Sequence, residues 1–154
     1  MFVLICGRIS LILAKFQEMD VKAIDNALQE IIKNRLELLK LDYSNPRYDE
    51  IEEKIHDLED AFQDSYGEEI ERALQEVHDE YCPDSDVLVP IAYIAKVYTI
   101  NSKNEFSVAP TEGVFVEMDD YPGKDTKLVL APNPVRIILN IGNEKQQVVW
   151  TAKA

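Results

Sequence analysis

At Cys82-Pro83-Asp84-Ser85-Asp86 the hydrophobic period of the chain changes, and no single type of secondary structure can satisfy both sides of that change. Before it, apolar residues recur every three or four positions, as on one face of a helix; after it they fall in short runs rich in Val, Ile and aromatics, as in strands. In the first part, Val21, Ile24, Leu28, Ile31, Ile32, Leu38 and Leu39 form one helical stripe. Asp20 stands where an N-cap carboxylate can accept from first-turn amides. Asn45 before Pro46 disfavours continued helix and predicts a reversal, with the helix ending near Asp42. A second stripe then runs through Tyr48, Ile51, Ile55, Leu58, Phe62, Tyr66, Ile70, Ala73, Leu74, Val77 and Tyr81. It predicts one long helix, or two end to end with a weak point at Gly67. Helices joined by so short a connection pack antiparallel.

From Val87 the runs "VLVPIAYIAKVYTI", "EFSVA", "GVFVEM", "TKLVLA", "VRIILNI" and "QQVVWTA" read as strands bounded by Asn, Gly, Pro or Asp. Gly142-Asn143 predicts a tight hairpin between the last two. Pro90, Pro110, Pro132 and Pro134 belong at strand ends, edges or bulges, because proline cannot donate to a ladder. The expected fold is therefore α+β: an antiparallel long-helix hairpin followed by a small antiparallel β-meander, closed as a barrel or roll. The expected division is residues 1–19 as an apolar N-terminal segment, 20–82 as an acidic helical hairpin and 86–154 as a small all-β domain.

The net charge of −13 is confined to one part of the chain. Residues 1–16 carry Arg8 and Lys15; residues 17–86 hold 22 acidic and 7 basic side chains, a net −15; residues 87–154 balance at 7 of each. Such a field repels phosphate backbones and anionic lipid, so neither nucleic acid nor a membrane surface is an expected partner. It favours a protein with a basic surface. Cys6 and Cys82 form no CxxC and stand near no paired histidines, which points to reduced thiols in a cytoplasmic protein rather than a zinc site or a disulfide scaffold.

Glu53 and His56 have the i, i+3 spacing of di-iron bundle ligands, but both fall off the apolar stripe and lack a matching pair. Asp119, Asp120 and Asp125 surround a Pro-Gly turn without the spacing of a calcium loop. His56 and His78 are both expected on the outer side of the long helix, away from any serine or cysteine nucleophile, and no Gly-rich phosphate loop occurs. The chain is accordingly expected to be no enzyme, with no catalytic, cofactor-binding or metal-ligating residues. The hairpin tip is the candidate binding site: Asp42, Tyr43, Arg47, Tyr48 and Asp49 combine aromatics, a cation and carboxylates in one turn. The same position on the stripe also lets Tyr48 simply cap the hairpin core. An alternative places a small-ligand or enzyme site in a pocket of the β domain formed by Tyr93, Tyr98 and Trp150.

An acidic-tipped helical hairpin ahead of a compact β domain resembles, in architecture and length, the Gre-type transcription factors that enter the RNA polymerase secondary channel. That resemblance implies magnesium held by Asp42, Asp49 and Glu50 at the tip. The leading expectation is instead a non-catalytic cytoplasmic interaction or assembly protein. In it the acidic hairpin, itself packed as a coiled coil, meets a basic partner or a second copy of the chain in a homodimer.

The opening "MFVLICGRISLILAKF" carries its positive charge inside the apolar run and is too short and broken for a membrane span of about 20 residues. With the hairpin turn at residues 44–45, the first helix covers the second only to about residue 69, at 1.5 Å rise per residue. Ile70, Leu74, Val77 and Tyr81 then need another cover. Two expectations follow: Ile9, Ile12, Leu13 and Phe16 supply it as a core element, or the β domain does and Met19 is the true start.

Overall fold

A computed structural model describes residues 19–153; the expectation that Ile9, Ile12, Leu13 and Phe16 form a core element lies outside the described residues. Helix α1 spans Val21–Leu39, and Asp20 caps it by accepting from the Ala23 amide at 3.1 Å. Helix α2 spans Arg47–Tyr81 and continues through Gly67, where the Gln63 side chain lies against the bare backbone. Between them the turn closes on itself: Asn45 N–H donates to the Asp42 carbonyl, and the Asn45 side chain accepts from the Arg47 amide at 2.9 Å. Asp49 and Glu50 occupy the first turn of α2, where its partial positive charge favours them.

Ile24, Leu28, Ile31 and Ile32 of α1 are 0–1% exposed, and Phe62, Ile70 and Leu74 of α2 share their cluster. Arg35 bonds Glu59 at 2.6 Å, and further along, Glu37 bonds Arg47 at 2.8 Å, so positions running forward on α1 meet positions running backward on α2. Burying one Ile or Leu contributes about 1.5–3 kcal/mol. The exposed Glu37–Arg47 pair contributes ~0–1 kcal/mol. The apolar seam therefore holds the helices together, and the ion pairs set their register.

The β part contains two antiparallel sheets. Thr99–Ile100 (β1) pairs with Phe106–Ser107 (β2), and Val114–Val116 (β3), Thr126–Ala131 (β4), Arg136–Ile141 (β5) and Lys145–Thr151 (β6) form a four-stranded meander in sequence order. The chain is thus α+β, with two helices and two small antiparallel sheets. The expected barrel does not close, since β3 and β6 are separate edges. Closure is unnecessary because both faces of the central strands are already covered.

One face carries Leu128, Leu130, Ile137 and Leu139 and, by register, Trp150, and it looks at α2. The other, with Val129, Ile138 and Asn140, lies under residues 106–112: Asn140 Nδ2 donates to the Ala109 and Glu112 carbonyls, Gln146 Nε2 to Val108 O and Arg136 to Phe106 O. Buried residues of the helices and of the sheet belong to one hydrophobic cluster.

The run from Val87 corrects a second expectation. Only Thr99–Ile100 is strand; Pro90–Tyr93 is a 3-10 turn with Pro90 in its first turn, where the missing N–H costs nothing. Ile94 then bridges Leu130 in parallel, and this segment and β6 meet the C-terminal half of α2. The β part thus contributes cover for the stretch that α1 does not reach. Gly142 turns the β5–β6 hairpin at φ 59°, with its N–H on the Asp125 carbonyl at 2.7 Å. Pro110, Pro132 and Pro134 all lie between strands.

At the other end, a closed ring of hydrogen bonds joins α1 to the two hairpin turns. Asp25 accepts from Asn133 N–H at 2.6 Å and from Gln29 Nε2 at 2.7 Å; Gln29 Oε1 accepts from Asn104 Nδ2 at 3.1 Å; the Asn104 carbonyl accepts from Asn133 Nδ2 at 2.6 Å. Both asparagines have positive φ, 60° and 57°, a conformation that Asn tolerates better than other side chains. Asp25→Ala removes two bonds of this ring and should lower stability by about 1–2 kcal/mol in urea unfolding. Asp57→Ala, on the exposed face of α2, should change it by less than ~0.5 kcal/mol.

Candidate interaction surface

The tip is built from the turn outward. Tyr43 stacks on Tyr48 with ring centroids 4.7 Å apart and planes 26° from parallel, yet Tyr43 remains 83% exposed. Tyr48 is half-buried beneath it. Desolvation, the Tyr43 phenol and the negative charges of Glu52 and Asp49 hold the Tyr48 phenol above its usual range, so it stays neutral. Arg47 is oriented by Glu37, while Asp42 and Asp49 stand exposed to either side. The five sequence-identified residues are thus neighbours along one turn, a stacked aromatic pair with a cation and carboxylates around it.

Below the tip, α2 shows solvent a face of carboxylates: Glu52, Glu53, Asp57, Asp60, Asp64, Glu68, Glu71, Glu76, Asp79 and Glu80 are all exposed. His56 sits among them and is exposed too. Among the described residues no three His, Cys, Asp or Glu side chains gather as metal ligands. Asp42, Asp49 and Glu50, to which the Gre-type layout assigns magnesium, are all exposed at the tip. Asp119, Asp120 and Asp125 are exposed turn residues.

His78 departs from expectation. It is 1% exposed, not on the outer side of α2, and belongs to the join between helix and sheet. Its Nδ1 lies 2.9 Å from the Ser85 carbonyl, which can only accept, so Nδ1 carries the proton. Its Nε2, 2.9 Å from the Tyr93 hydroxyl, then accepts from that hydroxyl, which in turn accepts from the Leu88 amide at 3.1 Å. Each polar atom in this set thus has a complementary partner.

Tyr93 is fully buried and Tyr98 4% exposed. The Tyr98 hydroxyl accepts from Ala95 N–H and donates to the Leu130 carbonyl, so both rings are core residues whose hydroxyls tie down backbone and do not open a shared pocket with Trp150. Burial raises both phenols, with the Leu88 and Ala95 amides opposing. Cys82 is fully buried, and burial pushes its thiol up to about 11. No helix among the described residues is long and apolar enough to cross a membrane. Comparison with protein-family models, with curated proteins and with solved structures returned no match for this chain.

Two outcomes are expected. Tyr93→Phe leaves His78 Nε2 and the Leu88 amide without their partner and should cost about 1–3 kcal/mol in chemical denaturation, more than Tyr43→Phe at the exposed tip. In a Cys6→Ser background, Cys82 should resist alkylation at neutral pH and react once denaturant unfolds the chain; rapid labelling of the folded protein would contradict its burial.

Proposed function

We propose that this is a non-catalytic cytoplasmic interaction or assembly protein that presents an acidic helical hairpin, from a β-sheet base, to a protein with a basic surface. The observation that carries the reading is the tip: an aromatic stack with Tyr43 83% exposed, beside a helix whose exposed residues are mostly carboxylates. An exposed aromatic held rigid by a neighbour loses little entropy on binding, and Tyr and Arg are enriched among residues that dominate interfaces. The carboxylates do a different job. They steer a cationic partner to the tip and repel polyanions.

A basic protein fits this surface better than a second copy of the chain, because two acidic helix faces repel across a dimer interface. The buried thiol of Cys82 and the neutral β part agree with a reducing compartment and with a base that takes no part in the steering.

The reading is tested by affinity capture with the full chain as bait at low salt, followed by titration of the captured partner. Binding should weaken steeply as ionic strength rises through the physiological range. Tyr43→Ala should weaken it by about thirtyfold, as for a hot spot of about 2 kcal/mol, with thermal stability nearly unchanged. A partner that binds equally at high salt, or indifferently to Tyr43, contradicts the proposal.

A further inference from the structure

Among the described residues two aromatic side chains are left exposed, Tyr43 at 83% and Phe115 at 56%. Phe115 stands opposite Lys127 in the register of β3 and β4, so its own sheet places a long cationic side chain beside it. Tyr43 is different. Tyr48 stacks on one face of its ring with centroids 4.7 Å apart, and the exposure of Tyr43 leaves the opposite face open to solvent. Arg47, the guanidinium of the same turn, is directed to Glu37 instead, donating to its Oε1 at 2.8 Å.

Charge around this ring favours a cation. Glu52, one helical turn after Tyr48, and Asp49 both act on the Tyr48 hydroxyl, Asp42 directly precedes Tyr43, and all three carboxylates are exposed. Residues 37–53 hold six acidic and two basic side chains, a net −4 with Lys40 and Arg47 both counted. A guanidinium suits the ring and the charge together, because it is planar and weakly hydrated and stacks on an aromatic face while its N–H edge still donates to carboxylates. A lysine ammonium is a compact point charge that holds its water, so it gains less from the ring.

We propose that the hairpin tip recognises an arginine side chain of its partner, with the guanidinium lying on the open face of Tyr43 and its edge turned to the surrounding carboxylates. Such recognition rests on the basic-partner reading and narrows it to a protein that presents arginine in an exposed segment. Charge alone would draw any basic surface along the whole acidic side of α2. The open ring makes the tip the place that tells one cation from another. Tyr48 is the positioning residue, since its ring backs that of Tyr43.

The probes are two blocked peptides of equal length and charge, acetyl-GRGRG-amide and acetyl-GKGKG-amide, titrated into the full chain at low salt while NMR follows the Tyr43 ring resonances. The arginine peptide should bind about threefold to fivefold more tightly. Its side-chain protons should also move upfield, the ring-current signature of a group seated on an aromatic face. Tyr43→Ala should erase the preference and the upfield shift with far-UV circular dichroism unchanged. Tyr43→Phe should keep both, because the ring and not the hydroxyl does the stacking, and Phe115→Ala should alter neither. Equal binding of the two peptides, or a preference that survives Tyr43→Ala, overturns the proposal and leaves the basic-partner reading intact. Tighter binding of acetyl-PPPPP-amide assigns the ring face to a polyproline segment and likewise overturns it. Binding of neither cationic peptide at millimolar concentration overturns it too, and the basic-partner reading then stands or falls on the salt dependence of the captured protein.

Discussion

Burial of the C-terminal half of α2 against the sheet is the constraint on which the architecture rests. Beyond the reach of α1, that half of the helix still carries Ile70, Leu74 and Val77, all 0–2% exposed, and it cannot remain helical in water with such a stripe uncovered. His78 sits among these residues and converts the contact from a nonspecific apolar one into a specific one. Through Ser85 and Tyr93 it holds the connection from helix to sheet in one path, and Tyr93 holds the Leu88 amide. A polar group buried this deeply costs free energy unless every bond is made, so the node tolerates one geometry.

The Asp25–Asn133–Asn104–Gln29 ring fixes the second point of attachment, on α1. Two attachments on two helices leave little freedom to rotate the helix pair on the sheet. What remains free is the other end. From His78 to Tyr48 is thirty residues of continuous helix, about 45 Å at 1.5 Å per residue. The tip thus stands away from the sheet, on a stalk whose exposed side is acidic. The fold separates two regions: the neutral β part packs against one end of the helix pair, and the acidic stretch of helix projects from it.

Much of this is legible from local chemistry. Asp20, the helical stripes and Asn45-Pro46 mark α1, α2 and the turn, and "TKLVLA", "VRIILNI" and Gly142-Asn143 mark β4, β5 and their neighbouring hairpin. His78 is a case where the signal exists but residue type misleads. It lies four residues after Leu74 and eight after Ile70, on the buried stripe, although histidine on an acidic helix reads as solvent-facing. Tyr93 and Tyr98 show the converse, since aromatic hydroxyls that suggest a polar-lined pocket are here spent on the Leu88 and Ala95 amides. The Asp25 ring has no local signal at all: its members lie 75 and 108 residues apart, and only the turn positions of Asn104 and Asn133 hint at special backbone. The proposed tip residues stand out in the sequence because turn chemistry and interface chemistry coincide within eight consecutive positions, 42–49.

The central claim is that helix pair and sheet share one core and stand or fall together. Urea unfolding followed simultaneously by far-UV circular dichroism, dominated by α1 and α2, and by emission of Trp150, which lies on β6, measures this directly. A shared core predicts coincident transitions with a single midpoint. A Trp150 transition complete while helical signal persists, or the reverse, would show two independently stable parts and contradict the account.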